Sequence, residues 1–156
     1  MFSKKNQVLL AVADGSVLPL AEVADEAFAS GMLGQGIAIE PREGTVYSPI
    51  DGTVDSVTDT GHAYSICTED GLDVLVHVGI DTVEMKGDGF LPMVKIGDRV
   101  KAGDVLLRAD LDKIRAAGHP VTIPVLITNP ERLRSFSCKG GADVIGGKST
   151  VIEYRV

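Results

Sequence analysis

Short apolar runs separated by turn residues extend along the whole chain. Eight of them have the length and composition of strands: VLLAVADG, GIAIEP, GTVYSPIDGTV, AYSICTEDG, DVLVHVG, RVKAGDVLL, VTIPVLITN and TVIEYRV. Many short strands with glycine, proline and aspartate between them are typical of antiparallel sandwiches and barrels. The pattern therefore predicts an all-β fold, an antiparallel β-sandwich or barrel-like single domain over residues 1–156, with few and short helices.

Three segments have the spacing and end residues of short helices. LAEVADEAFASG ends at Gly31, and DLDKIRAAG has Asp110 as an N-cap and Gly118 just past its end. NPERLRSF has Asn129 at the cap and Pro130 at the first helical position. Caps of these types predict three helices with these boundaries.

The dipeptide Asp70-Gly71 lies between two apolar runs and predicts a two-residue β-hairpin turn. Such a turn pairs Tyr64 with His77 and Ile66 with Leu75. Directly opposed residues share a face of the hairpin. This register places His62, Tyr64, Ile66, Leu75 and His77 on one face. The other face, which the pattern assigns to the core, carries Ala63, Ser65, Cys67, Val74, Val76 and Val78.

In this register His62 and His77 are diagonal neighbours, about 7–8 Å apart at Cα. The pair could be a structural coincidence, half of a metal site or a nucleophile with a helper. Zinc needs three or four protein ligands, and this face supplies two, with Asp81 as a possible third. Spacing alone leaves paired chemistry and a structural role open.

The net charge of the chain and its number of cysteines limit the kinds of partner it can bind and the compartment in which it is expected. A net charge of −7 disfavours nucleic acids and anionic membrane surfaces as partners. The apolar run from Val8 to Ala13 is too short for a signal-peptide core or a membrane span. Cys67 and Cys138 are fewer than secreted disulfide frameworks use. We therefore expect a cytoplasmic protein with reduced thiols and no membrane insertion. Met1 and the short leader favour a free-standing protein, although a domain of a fused permease stays open.

The segment GLDVLVHVGIDTVEMKGDGF closely resembles the signature of the glucose-type IIA domains of the bacterial phosphotransferase system. Gly71, His77, Gly79, Thr82 and Val83 occupy the fixed positions of that signature. DEAFASGMLGQGIAIEP, SPIDGTV, TGHAYSI and VKIGDRVKAGDVLL resemble further segments of the family in the same order. The resemblance covers the chain from about residue 8 onward.

The resemblance implies a phosphotransferase component that works without cofactor or metal. His77 would accept a phosphoryl group from the phosphocarrier protein HPr and pass it to a cysteine on the IIB domain of a sugar permease. His62 would stabilise the phosphoryl group and Thr60 would orient His62. Asp81 corresponds to the aspartate of the signature, and the backbone carbonyl of Gly79 is the candidate to hold one ring nitrogen of His77.

By family position and apolar type, four residues are expected to form the surface on which protein partners dock: Phe28, Leu33, Leu75 and Val83. Packing in the core is the alternative for each of them. Asp81 on the rim would complement a basic partner, whereas Glu84 is expected in a solvated turn.

Two other functions stay open at this point. Lys86 in VEMKGDG resembles the modified lysine of biotinyl and lipoyl carrier domains, although Gly87 replaces their second methionine. A lysostaphin-type zinc endopeptidase needs a His-x-His pair, where this chain has His77-Val78-Gly79. His119 matches no active-site position of the family and is expected to be a loop histidine without chemistry.

Overall fold

The computed structural model describes residues 7–156. Residues 1–6, which belong to the predicted domain, lie outside the described residues. The strands are β1 Gln7–Leu10, β2 Gly15–Pro19, β3 Gln35–Pro41, β4 Thr45–Tyr47, β5 Gly52–Val57, β6 Ala63–Cys67, β7 Asp73–His77, β8 Phe90–Pro92, β9 Arg99–Val100, β10 Val105–Ala109, β11 Ile123–Ile127, β12 Ser135–Cys138 and β13 Thr150–Arg155. The α-helices are α1 Glu26–Ala29 and α2 Leu111–Ala116, and 3-10 helices span Leu20–Glu22, Thr82–Met85 and Pro130–Arg132.

The strands form three antiparallel sheets, which confirms the predicted all-β fold class. The largest sheet has the order β2-β3-β11-β7-β6-β5-β9, and the two smaller ones have the orders β1-β13-β12 and β4-β10-β8. Within residues 7–156 no helix has the length and hydrophobicity that crossing a membrane requires.

Of the three predicted helices, one forms as expected. Asp110 caps α2 by accepting a hydrogen bond from the Lys113 amide at 3.1 Å, and Gly118 follows the helix with φ +86°. The first predicted helix is instead divided into a 3-10 turn and α1, because Asp25 caps a new helix by accepting from the amide of Ala27. The third is wrong beyond the 3-10 turn Pro130–Arg132, since the chain then enters strand β12.

The predicted register of the hairpin is wrong by one residue. Ile66 pairs with Val74, and the ladder ends with Ala63 opposite His77. The turn has three residues rather than two: the amide of Gly71 donates to the carbonyl of Thr68, and Gly71 adopts φ +88°. A type I turn followed by a left-handed glycine makes such a three-residue loop.

The shifted register exchanges the faces of β6 but not those of β7. Tyr64 and Ile66 are fully buried in the main core together with Val74 and Val76. Ala63, Ser65 and Cys67, which the sequence had assigned to the core, instead share the face of Leu75 and His77. A one-residue slip has this effect because side chains alternate along a strand with a period of two.

The large sheet therefore has an apolar cluster on each face. The main core lies between the sheets and contains residues of all three of them. A smaller cluster of Val23, Phe28, Ala38, Ile80 and Leu126 covers the opposite face, where Leu75 packs against it. Alternation along β7 places His77 on this second face, so the imidazole is not inserted into the main core despite its apolar neighbours in sequence.

Tyr64 provides a test of the core. Its hydroxyl is the one buried side-chain polar atom without a hydrogen-bond partner among the residues that the structure describes. Because removing an unsatisfied buried hydroxyl relieves a desolvation cost, Tyr64→Phe should leave the free energy of unfolding unchanged or raise it by up to about 1 kcal/mol. Urea unfolding followed by circular dichroism measures this, and a loss of stability would show that the hydroxyl has a stabilising partner.

Candidate functional site

His77 ends β7 and is half-buried against the smaller cluster. The ring of Phe28 lies beside it, with centroids 5.0 Å apart and a tilt of 60°. Phe28 itself is only 5% exposed. The aromatic contact therefore restrains the imidazole on one side, while the residue as a whole stays partly exposed.

A backbone carbonyl fixes the protonation pattern of His77. Nδ1 of the ring lies 2.8 Å from the carbonyl oxygen of Gly79. Because a carbonyl can only accept, the hydrogen bond requires the proton to sit on Nδ1. In the neutral ring Nε2 then carries the lone pair, which is the arrangement that a nucleophilic histidine needs.

Two threonine hydroxyls hold His62. The hydroxyl of Thr60 lies 2.6 Å from Nδ1, and that of Thr58 lies 3.3 Å from the same atom. Thr58 also accepts hydrogen bonds from the amides of His62 and Ala63, both at 3.1 Å. The loop before β6 is thus built around one hydroxyl, and His62, which is 5% exposed, is held at its end.

The imidazoles of His62 and His77 are in contact, as the sequence predicted, although not through the predicted pairing. Their ring centroids are 4.9 Å apart and the planes are nearly perpendicular, at 79°. His62 precedes the regular part of β6, so its side chain need not follow the alternation of that strand. Its ring also lies 6.3 Å from that of Phe90.

Gly61 gives the loop its bend. The residue has φ +73°, and an added Cβ would lie 2.9 Å from Cγ of Pro92. A left-handed conformation favours glycine. The bend brings His62 back toward His77.

Electrostatics favour neutral rings in both histidines. Burial, with a further contribution from His77, lowers the pKa of His62 to about 4. Burial also lowers the pKa of His77, against the opposing effects of the Gly79 carbonyl and of the nearby carboxylates Asp25 and Asp81. Near pH 7 both imidazoles are therefore unprotonated at one nitrogen.

Asp81 stands at the start of the 3-10 helix Thr82–Met85 and is exposed. It has φ 60°, and its side chain makes no capping hydrogen bond. Lys86, at the other end of this helix, has φ 55°. Left-handed conformations are uncommon for residues other than glycine and often occur at functional sites.

The four predicted docking residues differ in exposure. Val83 is 54% and Leu33 41% exposed, and Leu75 is half-buried against the smaller cluster. Phe28 offers almost no surface, so its assignment to a docking surface is corrected: it packs against the His77 ring from within. Met32, which the sequence interpretation omitted, is 79% exposed in the same segment as Leu33.

The other singled-out residues lie outside the pair of histidines. Nε2 of His119 lies 3.7 Å from a carboxylate oxygen of Glu84, an ion pair only when the ring is protonated. Lys86 is exposed at the end of a 3-10 helix. Within residues 7–156 no group of three or more histidine, cysteine or acidic side chains could hold a metal ion. Both cysteines are free thiols, and a hydrogen bond to Asp73 raises the pKa of Cys67 to about 11.

Sequence interpretation missed two residues of the site. Asp25 caps α1 and acts on His77 through its charge, and the signal for it was an aspartate before the helical EAFA. Thr58 organises the loop that carries His62. The segment TDTGH contains two threonines, and the family position identified only Thr60 as a residue of the site.

The depressed pKa of His62 predicts a pH dependence of stability. The unfolded histidine titrates near 6.5, so between about pH 6.5 and 4 the unfolded chain binds a proton that the folded protein does not. The contribution is complete above about pH 6.5 and is lost as the pH falls toward 4, by roughly 3 kcal/mol in total. His62→Gln should remove this part of the pH dependence. Urea unfolding of both proteins at pH 7.5 and 4.5 measures it, and equal losses of stability in the two would contradict it.

The chain is similar to known proteins over most of its length. The family model for the phosphoenolpyruvate-dependent sugar phosphotransferase system, EIIA 1, matches residues 7–133. The chain is 39% identical over 152 residues to the PTS system glucose-specific EIIA component of Staphylococcus epidermidis, covering 97% of this chain and 92% of that protein. It is also similar to the solved glucose permease IIA from Mycoplasma capricolum, with a TM-score of 0.89, 34% identity, and coverage of 97% and 98% of the two chains.

Some relatives carry the matching region within a longer protein. The PTS system beta-glucoside-specific EIIBCA component of Dickeya chrysanthemi is 48% identical over 130 residues, which is 83% of this chain but 21% of that protein. The chain thus spans about a fifth of the length of such fused relatives. Full-length similarity to the shorter EIIA components and the match of the family model agree with each other. The chain therefore belongs to the EIIA 1 family of the phosphoenolpyruvate-dependent sugar phosphotransferase system.

Proposed function

We propose that His77 is the phosphoacceptor of this phosphotransferase component, taking a phosphoryl group from HPr and passing it to a cysteine on a IIB domain. The observation that carries the proposal is the 2.8 Å contact from His77 Nδ1 to the Gly79 carbonyl. It leaves the lone pair on Nε2 of a partly accessible ring whose pKa is lowered by burial. The family assignment leaves the carrier function of Lys86 and the zinc endopeptidase without support.

In the first half-reaction Nε2 of His77 attacks the phosphorus of phospho-HPr. The new N–P bond forms as the donor's N–P bond breaks, and the donor nitrogen keeps the electron pair. Because the His77 ring retains its Nδ1 proton, it becomes positively charged while phosphorylated. The Gly79 carbonyl and the carboxylates of Asp25 and Asp81 stabilise that charge.

In the second half-reaction a cysteine thiolate of the IIB domain attacks the same phosphorus. The bond to Nε2 breaks, the electron pair returns to the ring and His77 is neutral again. We assign to Thr60 the role of donating its hydroxyl proton to Nδ1 of His62, which places the proton of that ring on Nε2. His62 can then donate a hydrogen bond to the phosphoryl oxygens as charge develops on them.

We infer that both partners bind the surface around the two rings. Leu33 and Met32 follow the helix that carries Phe28, Val83 follows Asp81 by two residues, and all three are exposed apolar side chains. The carboxylates of Asp25 and Asp81, whose charges act on His77, complement a basic partner. The fused EIIBCA relatives support a IIB partner for this chain, and the free thiols support a reducing compartment such as the cytoplasm.

His77→Gln should abolish phosphorylation by phosphoenolpyruvate, enzyme I and HPr, because glutamine has no ring nitrogen to attack phosphorus. Radiolabel from phosphoenolpyruvate, followed by mapping of the acid-labile site, measures this. The control is His119→Gln, which should be labelled at the wild-type rate. Labelling of the folded His77→Gln protein, or loss of labelling in the control, would contradict the assignment.

His62→Gln should separate the two half-reactions. Acceptance from HPr should change by only a few-fold, because the donor is itself a reactive phosphohistidine. Donation to the IIB cysteine should fall by about 10²–10³, the usual effect of losing one hydrogen-bond donor to developing charge. Single-turnover rates of each half-reaction on the same variant measure this, and wild-type rates in both would reduce His62 to a structural role.

A further inference from the structure

The tautomer of His77 depends on the orientation of a single peptide group. The carbonyl oxygen that accepts from Nδ1 belongs to the peptide between Gly79 and Ile80. The amide of Ile80, at the other end of this peptide, donates to the carbonyl of Pro120 at 3.1 Å. A rotation of this peptide would remove the acceptor from His77 and with it the reason for the proton to remain on Nδ1.

The preceding peptide, between Val78 and Gly79, is bonded at both ends. The amide of Gly79 donates to the carbonyl of Thr122 at 3.0 Å. The carbonyl of Val78 accepts from the hydroxyl of Thr82 at 2.6 Å. Besides the bond from the His77 ring, the three hydrogen bonds just described hold these two peptides. Two of them join backbone groups, and the third comes from the side-chain hydroxyl of Thr82.

The Thr82 side chain is buried and packs against Gly79, next to the carbonyl that it bonds. The residue is 0% exposed. Gly79 has φ +80°, and a Cβ added to it would lie 2.3 Å from the methyl carbon of Thr82 and 3.3 Å from its hydroxyl oxygen. Thr82 therefore fills the space against Gly79 and bonds to the peptide on its amino-terminal side.

We propose that Thr82 is a positioning residue, whose hydroxyl bond to the Val78 carbonyl orients the Gly79 carbonyl and so keeps the proton of His77 on Nδ1. Thr82 does not touch the reacting atoms. Its effect on phosphoryl transfer rests on the proposed role of His77, whereas its effect on the tautomer does not.

The test compares Thr82→Val, which keeps the shape and removes the donor, with Thr82→Ser, which keeps the donor and removes the methyl group. ¹⁵N NMR of the imidazole nitrogens at pH 7.5 reports the tautomer of His77, and single-turnover phosphorylation by HPr reports the rate. In Thr82→Val the ratio of the Nδ1–H to the Nε2–H form should fall about tenfold, the value of roughly one hydrogen bond, and the rate should fall in proportion to the fraction of His77 that leaves the Nδ1–H form. Thr82→Ser should stay within about twofold of the wild type in both.

Thr122→Val is the matched control. The Thr122 hydroxyl is also buried and donates to a carboxylate oxygen of Glu40 at 3.0 Å, and the variant keeps the backbone carbonyl that accepts from the Gly79 amide. This variant should lose stability without a change in the tautomer of His77. If it changes the tautomer as Thr82→Val does, general loosening explains both and the proposal fails.

Further outcomes separate the proposal from the function on which it rests. A wild-type tautomer in folded Thr82→Val, or a tautomer shift in Thr82→Ser, overturns the proposal. If Thr82→Val does not fold, Thr82→Cys takes its place: its thiol is a weaker donor, so the ratio of tautomers should fall below that of Thr82→Ser, and a wild-type ratio overturns the proposal. A tautomer shift in a protein that HPr never phosphorylates supports the positioning role and contradicts the proposed function.

Discussion

The hydrogen bond from the His77 ring to the Gly79 carbonyl is the interaction on which the chemistry of this site depends. A histidine near neutral pH can carry its proton on either nitrogen, and solution chemistry alone does not select one. A carbonyl acceptor selects Nδ1 without adding a charged group that would raise the pKa strongly. The protein thereby combines a defined lone pair with a ring that burial keeps neutral.

The alternation of β7 makes this arrangement possible within a stable core. Val74 and Val76 face the main core, while Leu75 and His77 face the smaller cluster on the opposite side of the sheet. The strand is therefore apolar on both faces, as is usual for a strand in the middle of a sheet, and it ends in a functional side chain at the rim. The end of β7 and the ring contacts with Phe28 and His62 hold the imidazole in place.

The sequence predicted the fold class and the contact between His62 and His77, but the route to that contact was wrong. Asp70-Gly71 fits both a two-residue turn and the end of a three-residue turn, and the difference depends on the backbone of Thr68 to Gly71. Local composition does not distinguish these turns, yet their choice decides which face of β6 is buried. Strand β12 was missed because Asn129-Pro130 is a helix-start signal that here begins a single 3-10 turn.

The features of the site that depend on tertiary contacts could not be predicted from the sequence. The charge of Asp25 reaches His77 from a separate helix, and Phe28 could be identified as apolar but not as buried. The family resemblance selects residues by their position in the sequence, whereas their exposure depends on how α1 packs against the sheet.

Because His77 has a single available lone pair, the order in which protein partners bind to it is constrained. Under the proposed function, donor and acceptor must both approach the same nitrogen from the same open side, so the two complexes exclude each other. In relatives where a IIB domain is part of the same polypeptide, tethering gives that acceptor a high effective concentration at the ring. A tethered acceptor must therefore dissociate quickly enough to admit HPr, and weak, short-lived docking is a requirement of turnover in such proteins. A free-standing carrier has the opposite constraint, because it must survive with its phosphoryl group between one encounter and the next.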